Sequence, residues 1–442
     1  MTRRRNQRRD PLESALEAAL EPGRFITDKA GGEFISGLEA VACQLERLIH
    51  AEPERATRLY EAFLAGCYEK AEEFDDSSGN LGMFVESLYC GWIKARQAAG
   101  GAPDETARWL LARMDDDPYC FTYHLESDAV KVMDKAGLAA FGQQVEARFE
   151  AEAPAADGRE ADHERRRWGE VLRVIYLQQR NLAAYLALCE ATELTAQDCL
   201  AVATLLKARR RPDEALTWVE RGVELDKKRS RGAMVGLELA ELRRELLTKV
   251  GRGADALEQA WAEFREDPST FSYAALMRMV PRSERASWHV KAMAAAESAD
   301  LDALIELWLE TKEIERLVER LRRAGDAELE GLSHYLTEPA ARRLAKIHPD
   351  VAAKLYRALG MRILNAKKSK YYSAALSNFA NAKRSYERAG LKSAWQAVVA
   401  EVRGAHQRKV GFLVDFNRLV TGEGSREEPS FLDRARSRWP PR

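Results

Sequence analysis

Between Ser369 and Gly390, Tyr372, Ala375, Phe379, Ala382, Tyr386 and Ala389 recur at every third or fourth position. That spacing sets large and small side chains alternately along one stripe of an α-helix. Such a stripe packs against another helix, its aromatic knobs sitting beside small-residue holes. The same periodicity runs through almost the whole chain, in segments mostly of 10 to 20 residues rich in Ala, Leu, Glu, Arg and Lys, all strong helix formers. Even the most strand-like run, Leu172–Leu177, lies inside a longer helical pattern.

Helix boundaries are also legible. Gly79, Gly100, Gly101, Gly137, Gly251, Gly325 and Gly390 read as C-terminal stops. Thr195 with Asp198 three residues on reads as a variant capping box. Pro118, Pro212 and Pro349 stand where a first helical turn would begin. Joints of two to six residues between these segments give the rhythm of antiparallel helix pairs. Ala215, Val219 and Gly222, and then Ala256 and Ala260 followed by Pro268, match the second helix of a tetratricopeptide-type repeat. Ala215 and Ala256 are 41 residues apart, against ~34 in a regular array. The expected fold is therefore all-α: an irregular, tetratricopeptide-like α-solenoid of antiparallel helix pairs.

With 46% apolar and 31% charged residues, the chain can bury a core and is not disordered overall. No apolar run has the ~18 residues of a membrane span, and no apolar stretch follows the N-terminal MTRRRNQRRD to make a secretory signal. The six cysteines lie scattered in helical patterns without C-x-x-C spacing, so they read as buried free thiols of a cytoplasmic protein. Glu152–Asp162 reads as a linker between an acidic helical region, 11–151, and a helical-repeat region, 163–420. Residues 1–10 read as a disordered basic arm and 421–442 as a flexible tail.

The net charge of −1 conceals a polarised chain. Residues 11–160 hold 14 Lys/Arg against 29 Asp/Glu, while residues 361–410 hold 11 against two. Such asymmetry speaks of association rather than of fold. The outward face of the Ser369–Gly390 helix carries Lys370, Ser377, Asn381, Arg384 and Arg388, with Lys367, Lys368 and Tyr371 before it and Lys392, Arg403, Arg408 and Lys409 after it. Lys367, Lys368, Lys370, Tyr371, Asn381, Arg384, Arg388 and Lys392 are the candidate partner-binding residues. Positive donors beside aromatic rings suit an acidic protein surface, this chain's own residues 11–160 included. They equally suit the phosphates and bases of a nucleic acid.

Catalytic and metal signatures are sparse. Cys120 and His124, four apart, would share a helix face, but structural zinc takes four ligands and catalytic zinc three plus water. Asp75 and Glu86 stand at the first and twelfth places of a calcium-type loop, yet its glycine is at the fifth place and Asn80 occupies the sixth. An exposed helix–helix turn explains that loop. Arg343 and His348 have the spacing with which some helical ribonucleases set an acid/base histidine beside a phosphate-binding arginine. The chain has no phosphate-binding glycine loop, H-E-x-x-H or G-x-S-x-G. The reading is a non-enzymatic scaffold without cofactor or metal that binds an acidic protein. Nucleic-acid binding is the alternative, and a ribonuclease on Arg343 and His348 the second.

FDDSSGNLG, DDDPYCFTYHLES, LKARRRPDEALTWVERGVEL and the stretch from His348 to Gly390 together resemble an uncharacterised group of bacterial helical-repeat proteins. Similar segments form the helical region after the zinc finger in bacterial SWIM-type proteins. The resemblance spans most of residues 20–420 and implies a cytoplasmic helical scaffold. The SWIM ligand set, C-x-C with C-x-H, is absent, so no functional residue transfers from it.

Overall fold

Left-handed turns break the chain into helices. Gly100, Gly251, Gly390 and Gly422 follow helices with φ of 70° to 80°, and Arg180, Arg210, Lys312 and Lys367 take the same region with φ of 54° to 65°. The following amide then reaches back to a carbonyl in the last helical turn, as from Asn181 to Tyr176 (2.8 Å), Glu313 to Trp308 (2.9 Å) and Leu391 to Tyr386 (2.9 Å). This closure satisfies the orphan carbonyls at a helix end and reverses the chain within a few residues.

The computed structural model describes residues 11–21, 23, 25–151, 159–229 and 234–422. Among them are 23 α-helices and no strand, only an isolated bridge between Ile26 and Phe74. Helices adjacent in sequence pack on one another as pairs. No helix among the described residues is long and apolar enough to cross a membrane. The basic arm, the C-terminal part of the tail and 152–158 lie outside the described residues, and a helix already begins at Arg159.

Several sequence expectations meet corrections. Gly79 precedes a helix, Gly137 lies inside Lys135–Ala151, and Gly325, which does follow helix Ile314–Arg323, also opens the next one. Pro118 starts no helix, because Asp116–His124 is a run of turns and Leu125–Val132 begins only after it. Cys120, with φ of 58°, and His124 therefore share no helix face. The buried-thiol reading holds for Cys67, Cys189 and Cys199, whereas Cys43 and Cys120 are exposed and Cys90 partly so. Cys43 lies two residues past buried Val41, about 200° round the helix from it.

The chain forms two units, Met1–Leu246 and Leu247–Arg442. In the first, the expected capping box is present: Thr195 Oγ1 accepts from the Asp198 amide and the Asp198 carboxylate accepts from the Thr195 amide. Asp198, 1% exposed, also accepts from Arg173 Nε at 2.7 Å and Tyr185 OH at 2.7 Å. Burial pushes its carboxyl up, but the bonds from Tyr185, Arg173 and Thr195 outweigh burial and hold it below the ordinary range. The small residues singled out by repeat spacing are buried, and a Cβ on Gly222 would lie 2.9 Å from both Cys199 and Leu239. At the calcium-like loop, the Asp76 carboxylate receives the amides of Leu81 (2.8 Å) and Gly82 (3.0 Å) and so caps the helix Asn80–Ala98.

In the second unit, helix Pro349–Asn365 is the central element, packed on its neighbours Tyr372–Arg388, His334–Leu344 and Asp326–Gly331. Ala375, Phe379, Ala382 and Tyr386 of the expected seam are buried, with Tyr372 and Ala389 half-buried. A Cβ on Gly360 would meet the Phe379 ring at 2.7 Å; only glycine fits there. Phe379 also sits edge-on to Phe416, centroids 5.2 Å apart, and Tyr372 edge-on to Phe412 at 5.3 Å. Helix Val410–Thr421 thus closes the other side of the seam.

Two outcomes are expected. Gly360→Ala should destabilise the second unit by about 1–3 kcal/mol through overpacking, while Gly37→Ala, with open space around it in mid-helix, should gain about 0.5–1 kcal/mol. Denaturant unfolding of both variants reads the contrast. Asp198→Asn should lower stability near neutral pH by about 2–4 kcal/mol. The native carboxyl is depressed, so its contribution is complete above the ordinary carboxyl range and is lost as pH falls through the lower folded value. The gap between variant and wild type should therefore close in acid.

Candidate partner-binding surface

The basic segment gets its shape from the packing just described. Helix Tyr372–Arg388 has 17 residues, so its ends stand ~25 Å apart. The candidate residues divide between those ends. At the first end, Lys367 takes the left-handed turn and Lys368 follows it; Lys370 and Tyr371 lie in the 3-10 segment Ser369–Tyr371, just outside the α-helix. Lys370 therefore leaves the outward stripe, and its Nζ lies 4.9 Å from the centre of the Tyr371 ring. Toward the second end, Arg384 donates to Asn381 Oδ1, and Arg388 donates to the Ala345 carbonyl at 3.0 Å, satisfying the end of helix His334–Leu344. Lys392 opens the next helix, Lys392–Ala405.

That next helix runs back along Tyr372–Arg388, so the loop after it arrives beside Lys367. Lys367, Gly404, Ala405, His406, Gln407, Arg408 and Lys409 line one open cleft of about 570 Å³. His406 is 6% exposed, and Lys409 Nζ lies 2.7 Å from its Nδ1. Burial and then the Lys409 charge push the His406 imidazole below its usual range, while burial and then Lys367 push the Lys409 ammonium down. Positive groups thus crowd this end. Among the described residues, no carboxylate forms an ion pair with Lys367, Lys368, Lys370, Arg408 or Lys409. Elsewhere in the unit Arg316 pairs with Glu297, Arg322 with Asp350 and Arg342 with Glu338.

A charge cluster around buried Arg357 fixes the helices that carry these groups. Arg357, 4% exposed, donates Nη2 to both Glu401 carboxylate oxygens at 2.6 Å and Nη1 to Glu330 Oε1 at 3.0 Å. Glu401 belongs to helix Lys392–Ala405, so this fork ties the cleft's helix to the central one. Lys383 Nζ donates to the carbonyls of Leu419 (2.9 Å) and Val420 (3.2 Å), holding the end of Val410–Thr421.

The ribonuclease spacing does not produce a shared site. Helix His334–Leu344 ends between the two residues. Arg343 lines a separate groove of about 850 Å³ with Phe271, Tyr273, His289 and Tyr335, whereas His348 Nε2 lies 3.4 Å from Glu315 Oε1. In that groove, His289 is held between Tyr273 OH (2.7 Å) and Glu313 Oε1 (2.9 Å), and Phe271 and Tyr335 are exposed. Sequence periodicity missed it, since its residues come from several helices. Among the described residues, no three His, Cys, Asp or Glu side chains are grouped to hold a metal ion.

The fold is all-α, its helices packed largely on their neighbours in sequence. Residues 25–414 match the Family of unknown function (DUF6880), and the chain belongs to that family. A comparison with curated proteins finds no match. Among solved structures, a similar chain is found in the one described as "Structure of Naa15/Naa10 bound to HypK-THB", with 14% identity over 91% of this chain and a TM-score of 0.36. The chain spans 64% of the length of that one.

Replacing Arg357 by Met leaves Glu330 and Glu401 facing each other without their shared cation. A loss of about 2–4 kcal/mol is expected, discounted because Glu401 is partly exposed. Arg357→Lys should recover only part of it, lacking the planar fork. Chemical denaturation of both variants measures the difference.

Proposed function

We propose that this protein is a non-enzymatic helical-repeat scaffold that binds an acidic protein partner through the basic end of its second unit. The observation that carries this reading is the set of cations at that end, Lys367, Lys368, Lys370, Arg408 and Lys409, which no carboxylate among the described residues neutralises. Side chains left this way in a molecule rich in ion pairs favour an external anion. Tyr371 offers an apolar face beside them. Asn381, Arg384, Arg388 and Lys392 form a secondary cluster, in which Arg384 and Arg388 already have partners within the chain. The primary cations occupy a compact patch rather than a track along the helix, which favours a discrete acidic surface over an extended nucleic-acid backbone.

A fluorescent peptide rich in Asp and Glu and a single-stranded RNA serve as probes by anisotropy. The peptide is expected to bind, and the triple charge reversal Lys367→Glu, Lys368→Glu, Lys370→Glu should weaken it at least tenfold while circular dichroism stays helical. RNA binding tighter than the peptide's, with a log–log salt slope of several units, would replace this reading with the nucleic-acid one. Peptide affinity unchanged by the triple reversal would remove the surface from consideration.

A further inference from the structure

We propose that the cleft between the Lys367 turn and the loop 404–409 is a binding site for a phosphate group, taken as a phosphate monoester. The inference deepens the acidic-partner reading and rests on it. Three cationic side chains, Lys367, Arg408 and Lys409, line the cleft. The 12-residue helix Val410–Thr421 starts there with Lys409 as its N-cap, no side-chain cap and no acidic residue in its first turn. Its positive dipole end adds to the charge of these side chains.

His406 supplies an independent indication. Its side chain is 94% buried, by its 6% exposure, and lines the cleft. An ammonium only donates, so the hydrogen bond from Lys409 Nζ makes Nδ1 the acceptor and places the imidazole hydrogen on Nε2. That buried Nε2 has no hydrogen-bond partner among the described residues. Buried donors are almost always satisfied; this one is closed to solvent, and a small shift of the ring would open it to an anion oxygen in the cleft. The volume of about 570 Å³ leaves room for the group that carries the phosphate. A tetrahedral dianion also uses donors from several directions better than a planar carboxylate can.

The test titrates inorganic phosphate into the full chain at constant ionic strength, following the His406 imidazole by NMR, with His406→Gln to assign its resonance. A saturable one-to-one shift is expected. Lys367→Ala and Arg408→Ala should each weaken it about tenfold or more, while exposed Lys346→Ala, beside the Ala345 carbonyl that takes Arg388 at the far end of the helix, should leave it unchanged. A shift that never saturates, or one that survives both cleft substitutions, would overturn the site. The source is read from a phosphoserine peptide run in parallel. Affinity tenfold above that of inorganic phosphate assigns the site to protein-borne phosphate, and equal affinity assigns it to a small phosphorylated ligand. A glutamate version binding as tightly as the phosphoserine peptide would overturn the phosphate assignment and leave the acidic-partner reading standing. Failure of all three probes would overturn both.

Discussion

Phe379 rests where a methyl group on Gly360 would have to be, and this contact sets how closely the two longest helices of the second unit approach. Both helices have 17 residues, and most of what surrounds them follows from that spacing. Because the backbones lie close, Arg357 can span to Glu330 on one side and Glu401 on the other. The two chain reversals that flank Tyr372–Arg388 then fall at fixed places, and the basic residues beside them gather at its ends. The position of the cation cluster is thus a packing outcome as much as a charge outcome.

Local signals in the sequence proved readable where the interaction is local. The seam from Ala375 to Tyr386 and the capping box at Thr195 are matters of three- and four-residue spacing, and both stand in the structure. The small residues Ala215, Gly222, Ala256 and Ala260 were likewise marked by repeat spacing alone. The structure differs from the sequence pattern where Pro118 and Cys120 lie in a run of turns and not in a helix, and where Gly79 and Gly137 stand before and inside helices and not at their ends. Single-residue propensity does not distinguish these cases, because Gly137 and Gly390 are chemically the same and differ in backbone conformation, helical at the first and left-handed with φ of 72° at the second.

The surface was legible only in part. The basic run was plain, but its splitting into two ends was not, since Lys370 leaves the stripe when the α-helix starts two residues later. Lys367 and Lys409 meet only because an intervening helix of 14 residues turns back. Arg357 and its partner Glu401 lie 44 residues apart, beyond any periodicity argument. The groove of Phe271, His289 and Tyr335 depends on the packing of several helices and had no signature of its own.

The cluster at Lys367 also gives the second unit two opposite responses to ionic strength. Added salt screens attraction at exposed pairs such as Arg322 with Asp350, loosening them slightly. The same salt screens repulsion among Lys367, Arg408 and Lys409, easing the end where Val410–Thr421 begins. One end of helix Pro349–Asn365 is held by opposite charges and the other is pushed apart by like ones, so counterions act as solvent at the first and as mortar at the second.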